Sequence, residues 1–337
     1  MSELRKDPVT GRWVIISTER AKRPTDYVSS EQKNESANCP FCEGREHMTP
    51  PEVYAIRDNN SPVDTKGWEI RVVSNKFPAL SQSETLTHES RGLYEQISGA
   101  GAHEVIIETT DHYDFLPQRS NDNLIKLIDT YRLRLEFMMR DEQLLYAQIF
   151  KNKGELAGAS LSHPHTQIIA TPVVPNIIES ELNGSEKYFS AEKRCVYCEI
   201  IREEKKAGKR IVYENDSFIS FCPYASRFPF EIWLMPKQHK SDFIMIDSAE
   251  TAALADCLKI TMSKLMKSLG DPQYNYLLHT VPNMAVVGDI RPVIDEYYHY
   301  HFEIFPKLTK IAGFEWGTGI FINPTPPEDA AAFLRGV

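Results

Sequence analysis

The stretch Ser160-Leu161-Ser162-His163-Pro164-His165-Thr166-Gln167 decides how this chain is read. Residues on a strand alternate between its two faces, so His163, His165 and Gln167 are expected to point the same way. Two histidines two apart have an ordinary reading, as a pair of metal ligands or as satisfied strand residues. They also have a second reading, in which one imidazole ties the strand to a metal and the other stays free. A free His165 needs an acceptor at one ring nitrogen to fix its tautomer, and a backbone carbonyl would serve. Its other nitrogen can then attack phosphorus without a separate base. Gln167 can donate amide protons to a non-bridging phosphoryl oxygen, where the transition state holds charge.

Outward from this stretch, the sequence passes twice through one order of features. The first half has Cys39-Pro40-Phe41-Cys42, an apolar stretch at 71–80 and a strand-like run at 103–109, followed by His112. A helical pattern over 123–141 comes next, with Asn121 and Asp122 where an N-cap is expected. A strand at 146–152 then leads to His163-Pro164-His165. The second half has Cys195-Val196-Tyr197-Cys198, an apolar stretch at 218–230, a strand at 231–236 and His239. Its helix is expected at about 248–268, with Leu254, Leu258, Met262 and Leu265 on one face. A strand at 274–280 and His299-Tyr300-His301 complete the series. The expected fold is α+β, a duplicated unit whose antiparallel sheets carry the HxH strands against packed helices. The halves are placed at 1–178 and 190–337, with the boundary in the polar segment 176–192. Residues 27–38 read as a polar loop.

Each half offers a zinc-type ligand set, in which a close cysteine pair is completed by histidines distant in sequence. These sets are Cys39, Cys42, His112 and His163 in the first half, and Cys195, Cys198, His239 and His299 in the second. His103 and His301 compete for places in them. The competing readings are buried small hydrophobes and a redox dithiol, and no thioredoxin-like βαβ pattern surrounds either pair. Two zinc ions per chain are expected.

The bulk numbers set outer bounds. The chain has 337 residues, 42% hydrophobic and 25% charged, a globular composition. No apolar run is long enough to span a bilayer and the N-terminus carries no signal-like segment, so cytoplasmic residence is expected. The net charge of −9 gives no diffuse attraction to nucleic acid or an anionic membrane. No GxxxxGK loop is present for phosphate chemistry of the P-loop kind. A zinc-stabilised binding module without catalysis stays as a third reading. The acidic balance and the lack of a basic, aromatic-interleaved patch weigh against it.

His163-Pro164-His165-Thr166-Gln167, approached through the glycine-bearing run 151–160, resembles the galactose-1-phosphate uridylyltransferase branch of the histidine-triad superfamily. Hydrolases of that superfamily carry a third histidine where this chain has Gln167. The resemblance covers nearly the whole chain and implies a duplicated histidine-triad-like fold, with His165 as nucleophile. It implies that Cys39, Cys42, His112 and His163 bind zinc. It also makes Arg20 and Arg23 phosphate ligands, and it gives Asn152 and Ser160 contacts to the phosphate or ribose. Glu315 would hold the sugar hydroxyls, and a homodimer would bring residues of both chains near the site. Asn75 falls in the nucleotide-binding stretch, where Lys76 stands in place of the acid common in uridylyltransferases. No glutamine follows Glu315. The second CxxC and the ending 317–324 look closer to plant-type ADP-glucose phosphorylases. The leading expectation is ping-pong uridylyl exchange between UDP-glucose and galactose-1-phosphate. The alternative is adenylyl transfer from ADP-glucose to phosphate by the same histidine. Both take a nucleotide-sugar and a phosphate-bearing acceptor, with no nucleic acid and no membrane.

Overall fold

Apolar residues at alternate positions make strands and apolar residues at every third or fourth position make helices, and this chain does both twice in one order. The computed structural model describes residues 2–17, 38–57, 61–82, 84–289 and 291–337. The first half supplies β1 (Glu52–Arg57), β2 (Trp68–Ser74), β3 (Ala102–Ile107), helix α1 (Asn121–Met138), β4 (Tyr146–Lys153) and β5 (His165–Thr171). Helices α2 (Asn176–Glu192) and α3 (Val196–Ala207) follow. The second half repeats the series as β6 (Ile211–Glu214), β7 (Phe218–Phe221), β8 (Ile232–Pro236), α4 (Ser248–Leu269), β9 (Tyr274–His279) and β10 (His301–Pro306). Helix α5 (Pro327–Arg335) closes the chain.

These strands form one ten-stranded sheet in the order β1-β2-β3-β5-β4-β9-β10-β8-β7-β6. Counted outward from the centre, the first half runs β4, β5, β3, β2, β1 and the second runs β9, β10, β8, β7, β6. The duplication is therefore topological as well as sequential. Antiparallel pairing of β4 with β9, from Tyr274 opposite Lys153 to Leu278 opposite Ile149, fuses the two half-sheets. Such pairing satisfies the edge strand of each half, which would otherwise stay open.

Helices α1 and α4 pack against each other on one face of this sheet. The apolar core runs without a break across the seam, with Ile106, Leu127, Ile149 and Ile168 joining Leu234, Leu254, Leu258, Met262 and Ile304. Fully burying each such side chain is worth about 1.5–3 kcal/mol. A polar contact also crosses the seam: the Tyr131 hydroxyl meets Thr166 Oγ1 at 2.8 Å and the hydroxyl of Tyr276. On β5, Thr166, Ile168 and Ala170 are buried toward the helices, so His165 and Gln167 face the other way. The fold thus keeps His165 and Gln167 off the helix-packed face.

One local expectation shifts, and one segment gains its structure. The cap of α1 is Ser120, whose hydroxyl accepts from Asn123 N–H at 3.1 Å, one residue before the expected Asn121. The polar segment 176–192 is helix α2 itself. Its Ile178 and Leu182 are buried against Val196, Tyr197, Tyr297 and Tyr298.

Candidate active site

His163 sits in the bend that leads into β5, with its side chain fully buried. Its Nε2–H donates to the Thr109 carbonyl at 2.8 Å, which leaves Nδ1 unprotonated and 3.6 Å from Cys42 Sγ. His112 places Nδ1 3.4 Å from the same sulfur and has its Nε2 3.0 Å from the Ser162 hydroxyl. Cys39 completes the group, with all four ligand atoms within 4.8 Å of one another. A tetrahedral zinc with bonds of about 2.3 Å to sulfur and about 2.0–2.1 Å to nitrogen sets its S and N ligands roughly 3.5 Å apart. The observed spacings fit that edge. The outer hydrogen bonds are the kind that hold ligating histidines in the correct tautomer.

The second CxxC builds the same group. His239 and His299 place Nδ1 at 3.4 and 3.8 Å from Cys198 Sγ. Their Nε2–H groups donate to the carbonyls of Asp295 at 2.6 Å and Pro236 at 2.9 Å. Each of the two expected sets is therefore assembled as a possible metal site. Neither competitor belongs to them: His103 binds Gln167, and His301 falls in a different cluster.

His165 is free of both sets. Its Nδ1–H donates to the His163 carbonyl at 2.8 Å, so the Nε2 lone pair is left available. Burial lowers the affinity of the ring for a second proton and keeps it neutral. Two cavities, each of about 380 Å³, meet at this ring. One is walled by Phe41, Pro50, Phe77 and Val105, with Asn75, Lys76, Ser160 and Gln167 among its polar members. Flat apolar walls and a few amides suit a nucleobase and ribose. The other is lined by Tyr113, Arg119, Lys151, Asn152 and Ser162. Phe41 stands edge-on to His165 with ring centres 5.3 Å apart.

Near His165 lies a buried charge cluster that the sequence reading did not pick out. Glu108 accepts from Lys151 Nζ at 2.5 Å and from Thr166 Oγ1 at 2.5 Å, and it pairs with Arg119 at 2.9 Å. Burial alone would raise the Glu108 carboxyl, but Lys151 and Arg119 outweigh it and hold it at about 2. Burial drives the Lys151 ammonium down to about 8 against the pull of Glu108. The only readable signal was charge inside otherwise apolar strands.

The other expected site residues divide into three groups. Asn75, Ser160 and Gln167 line the aromatic cavity with His165, and Asn152 lines the second. Glu315 lies on the short helix Gly313–Thr318, where its carboxylate accepts from Ala312 N–H at 3.1 Å; it lines neither cavity. Arg20 and Arg23 lie outside the described residues.

Family models for the N-terminal and C-terminal domains of galactose-1-phosphate uridyl transferase match residues 1–175 and 181–330. The chain belongs to the galactose-1-phosphate uridyl transferase family. It is 39% identical to an ADP-glucose phosphorylase of Arabidopsis thaliana over 99% of this chain and 93% of that protein. It is 30% identical to a galactose-1-phosphate uridylyltransferase of Thermotoga maritima over 99% and 98%. Among solved structures, the Arabidopsis thaliana ADP-glucose phosphorylase with bound ADP-glucose superposes with a TM-score of 0.83 at 36% identity, covering 100% of this chain and 99% of that one. A uridylyltransferase structure gives 0.75 at 28% identity, covering 100% and 98%. The chain is thus a nucleotidyltransferase-type enzyme of this family.

In this family member, strand register shows which residues of the second half stand at the positions of His165 and its neighbours. Gln167 pairs with Val105 and Phe150, and Glu303 pairs with Trp233 and Leu277. Glu303 therefore takes the place of Gln167, His301 that of His165, His279 that of Asn152 and Trp233 that of Val105. His301 repeats the tautomer bond, donating Nδ1–H to the His299 carbonyl at 3.0 Å. It is nevertheless completely buried, with Trp233 and Tyr197 at ring distances of 5.2 and 5.1 Å. The large indole fills the space that Val105 leaves open. Glu181, His279, His301 and Glu303 also bring ligand atoms within 4.8 Å of one another. His279 faces Glu181 at 3.0 Å, and Arg227 donates to Glu303 at 2.8 Å.

The Glu108 cluster generates a stability prediction. Glu108→Gln leaves Lys151 and Arg119 without their shared carboxylate and is expected to cost about 3–5 kcal/mol at neutral pH. Because the folded carboxyl sits at about 2, below its ordinary value of 4.5, its contribution is complete above the ordinary value. It fades as pH falls toward about 2. Denaturant unfolding of both proteins from pH 7 to pH 3 should show the gap narrowing; a gap independent of pH would contradict the ionised assignment.

Proposed function

We propose that this protein passes a nucleoside monophosphate from a nucleotide-sugar to a phosphate-bearing acceptor through a covalent bond to His165. The carrying observation is the neutral His165 ring at the junction of two cavities, with its Nε2 lone pair uncommitted and Gln167 on the same face. Nε2 attacks the α-phosphorus, and the bond to the bridging oxygen breaks to release the sugar phosphate. The acceptor's phosphate oxygen then attacks the same phosphorus and the P–N bond breaks, returning the ring to its neutral form. No proton is removed from Nε2 at any stage, because it carries none. The His163 carbonyl stabilises positive charge on the ring while the P–N bond exists. Gln167 donates to the non-bridging oxygens, and Ser160, Asn75 and Asn152 hold phosphate and ribose. Arg20 and Arg23 are proposed as further phosphate ligands.

The leading assignment is a UDP-glucose–hexose-1-phosphate uridylyltransferase, with galactose-1-phosphate as acceptor. Matches to both domain models of that family support it. One observation favours a second assignment, an ADP-glucose phosphorylase acting with inorganic phosphate. Identity is 39% to the plant ADP-glucose phosphorylase and 30% to the Thermotoga maritima uridylyltransferase. A homodimer in the cytoplasm is proposed, with Glu315 serving the partner's sugar site. Its position away from the cavities of its own chain supports that arrangement. Among the described residues no helix is long and apolar enough to cross a membrane.

Each CxxC set is proposed to hold one zinc ion as a structural clamp, the first of them fixing the bend that carries His163. Elemental analysis of metal-replete protein should give close to two zinc per chain, with about one lost in Cys39→Ser and about one in Cys195→Ser. Well under one zinc in fully active protein would remove the assignment.

The base and acceptor are separated by product formation with two substrate pairs. UDP-glucose with galactose-1-phosphate should yield UDP-galactose if the leading assignment holds. ADP-glucose with inorganic phosphate should yield ADP if the second does. Turnover of the second pair alone overturns uridylyl transfer, and turnover of neither overturns both.

A further inference from the structure

Gln167 can help a phosphoryl group only if it presents its NH2 end. A carboxamide is nearly symmetric in shape, and a half-turn about its last bond would aim oxygen lone pairs at the anionic substrate instead. Something must choose between the two orientations, and His103 on β3 is in place to do so.

The Ala79 backbone N–H donates to His103 Nδ1 at 3.1 Å. A backbone N–H can only donate, so Nδ1 carries no proton and the neutral ring holds its proton on Nε2. That Nε2 lies 2.8 Å from Gln167 Oε1. It also lies 3.0 Å from Asn75 Nδ2, but Asn75 Oδ1 already accepts from Phe77 N–H at 2.9 Å, so an NH2 group faces the ring there. With one proton on Nε2, the Gln167 oxygen is the only acceptor of the two. The His103 main chain adds a second tie, its carbonyl accepting from Asn75 N–H at 2.8 Å.

We propose that His103 is a positioning residue that pins the Gln167 oxygen and thereby turns its amide protons toward the phosphoryl group on His165. The orientation passes in one direction, from the Ala79 amide through the imidazole to the carboxamide. Neither His103 nor Ala79 touches the reacting atoms. The inference rests on the nucleotidyl-transfer reading of the site, in which Gln167 serves the transition state. Its test must separate a loss of orientation from a loss of packing, because His103 also borders the cavity wall through Asn75.

The experiment is single-turnover formation of nucleotidyl-enzyme from a nucleotide-sugar labelled in its α-phosphate, with wild type, His103→Ala, Gln167→Ala and the double variant. The base is whichever one the wild type accepts. His103→Ala is expected to slow the step by about 10- to 100-fold, within the loss of about 10²–10³ expected for removing the donor itself. The half-saturating substrate concentration should move by less than about threefold, because an orienting group matters most in the transition state. In the Gln167→Ala background, adding His103→Ala should cost less than about threefold, since no amide remains to orient. His103→Gln keeps an N–H at similar reach and should recover most of the rate. Equal losses in the two backgrounds would make His103 merely structural and overturn the proposal. So would a His103→Ala rate equal to wild type in protein that labels normally. If the wild type itself takes no label, the covalent reading fails and this inference falls with it.

Discussion

The proposed chemistry depends on one hydrogen bond, the donation of His165 Nδ1–H to the His163 carbonyl. It commits one nitrogen of His165 and leaves the other with its lone pair. The carbonyl can serve only because His163 is itself immobile. Its side chain is held at one nitrogen by Thr109 and faces Cys42 with the other. The candidate metal site two residues from His165 would therefore position the proposed nucleophile without taking part in bond-making. The same residue supplies the clamp through its side chain and the tautomer lock through its backbone. Preorganisation of this kind avoids reorganisation at the moment of reaction.

Duplication explains the rest of the architecture. Two copies of one unit meet edge to edge, and their shared sheet gives a broad platform with helices on one side. The second copy keeps the metal-type set and even the tautomer bond of the first, yet Trp233 and Tyr197 close its site over His301. The geometry proposed as catalytic in the first copy survives there without access. Its remaining polar groups are absorbed into buried ion pairs with Glu181 and Arg227. The first copy holds Val105 where the second holds Trp233, and that difference in side-chain volume keeps a nucleotide-sized cavity open.

Much of this was legible in the sequence because the informative residues carry their chemistry in their spacing. Read with the repeat around them, Cys39-x-x-Cys42 announces a ligand pair and His165-x-Gln167 a shared strand face, while His163 sits in the bend before the strand. The helix at Ser248–Leu269 followed from Leu254, Leu258, Met262 and Leu265, all buried as expected. The seam between β4 and β9 was not legible, because backbone pairing leaves no mark on side-chain pattern. Segment 176–192 reads as a boundary because its few apolar residues are diluted by charge; that it is helical was not legible, since Ile178 and Leu182 alone suffice to dock one face. His103 drew attention as a possible ligand, since sequence distance cannot tell a metal-facing histidine from one that faces Gln167. The cluster joins Glu108 and Arg119 to the distant Lys151, so no short window contains all three.

The most direct measurement is the site of covalent attachment. The protein is mixed with a nucleotide-sugar, quenched in alkali, digested and mapped by mass spectrometry. One nucleotidyl group per chain should appear on the peptide that contains His165, stable in base and lost in acid. His165→Ala should carry none while keeping its fold. Modification of any other residue, or an equal mass increase in His165→Ala, would contradict the assignment of His165 as the nucleophile.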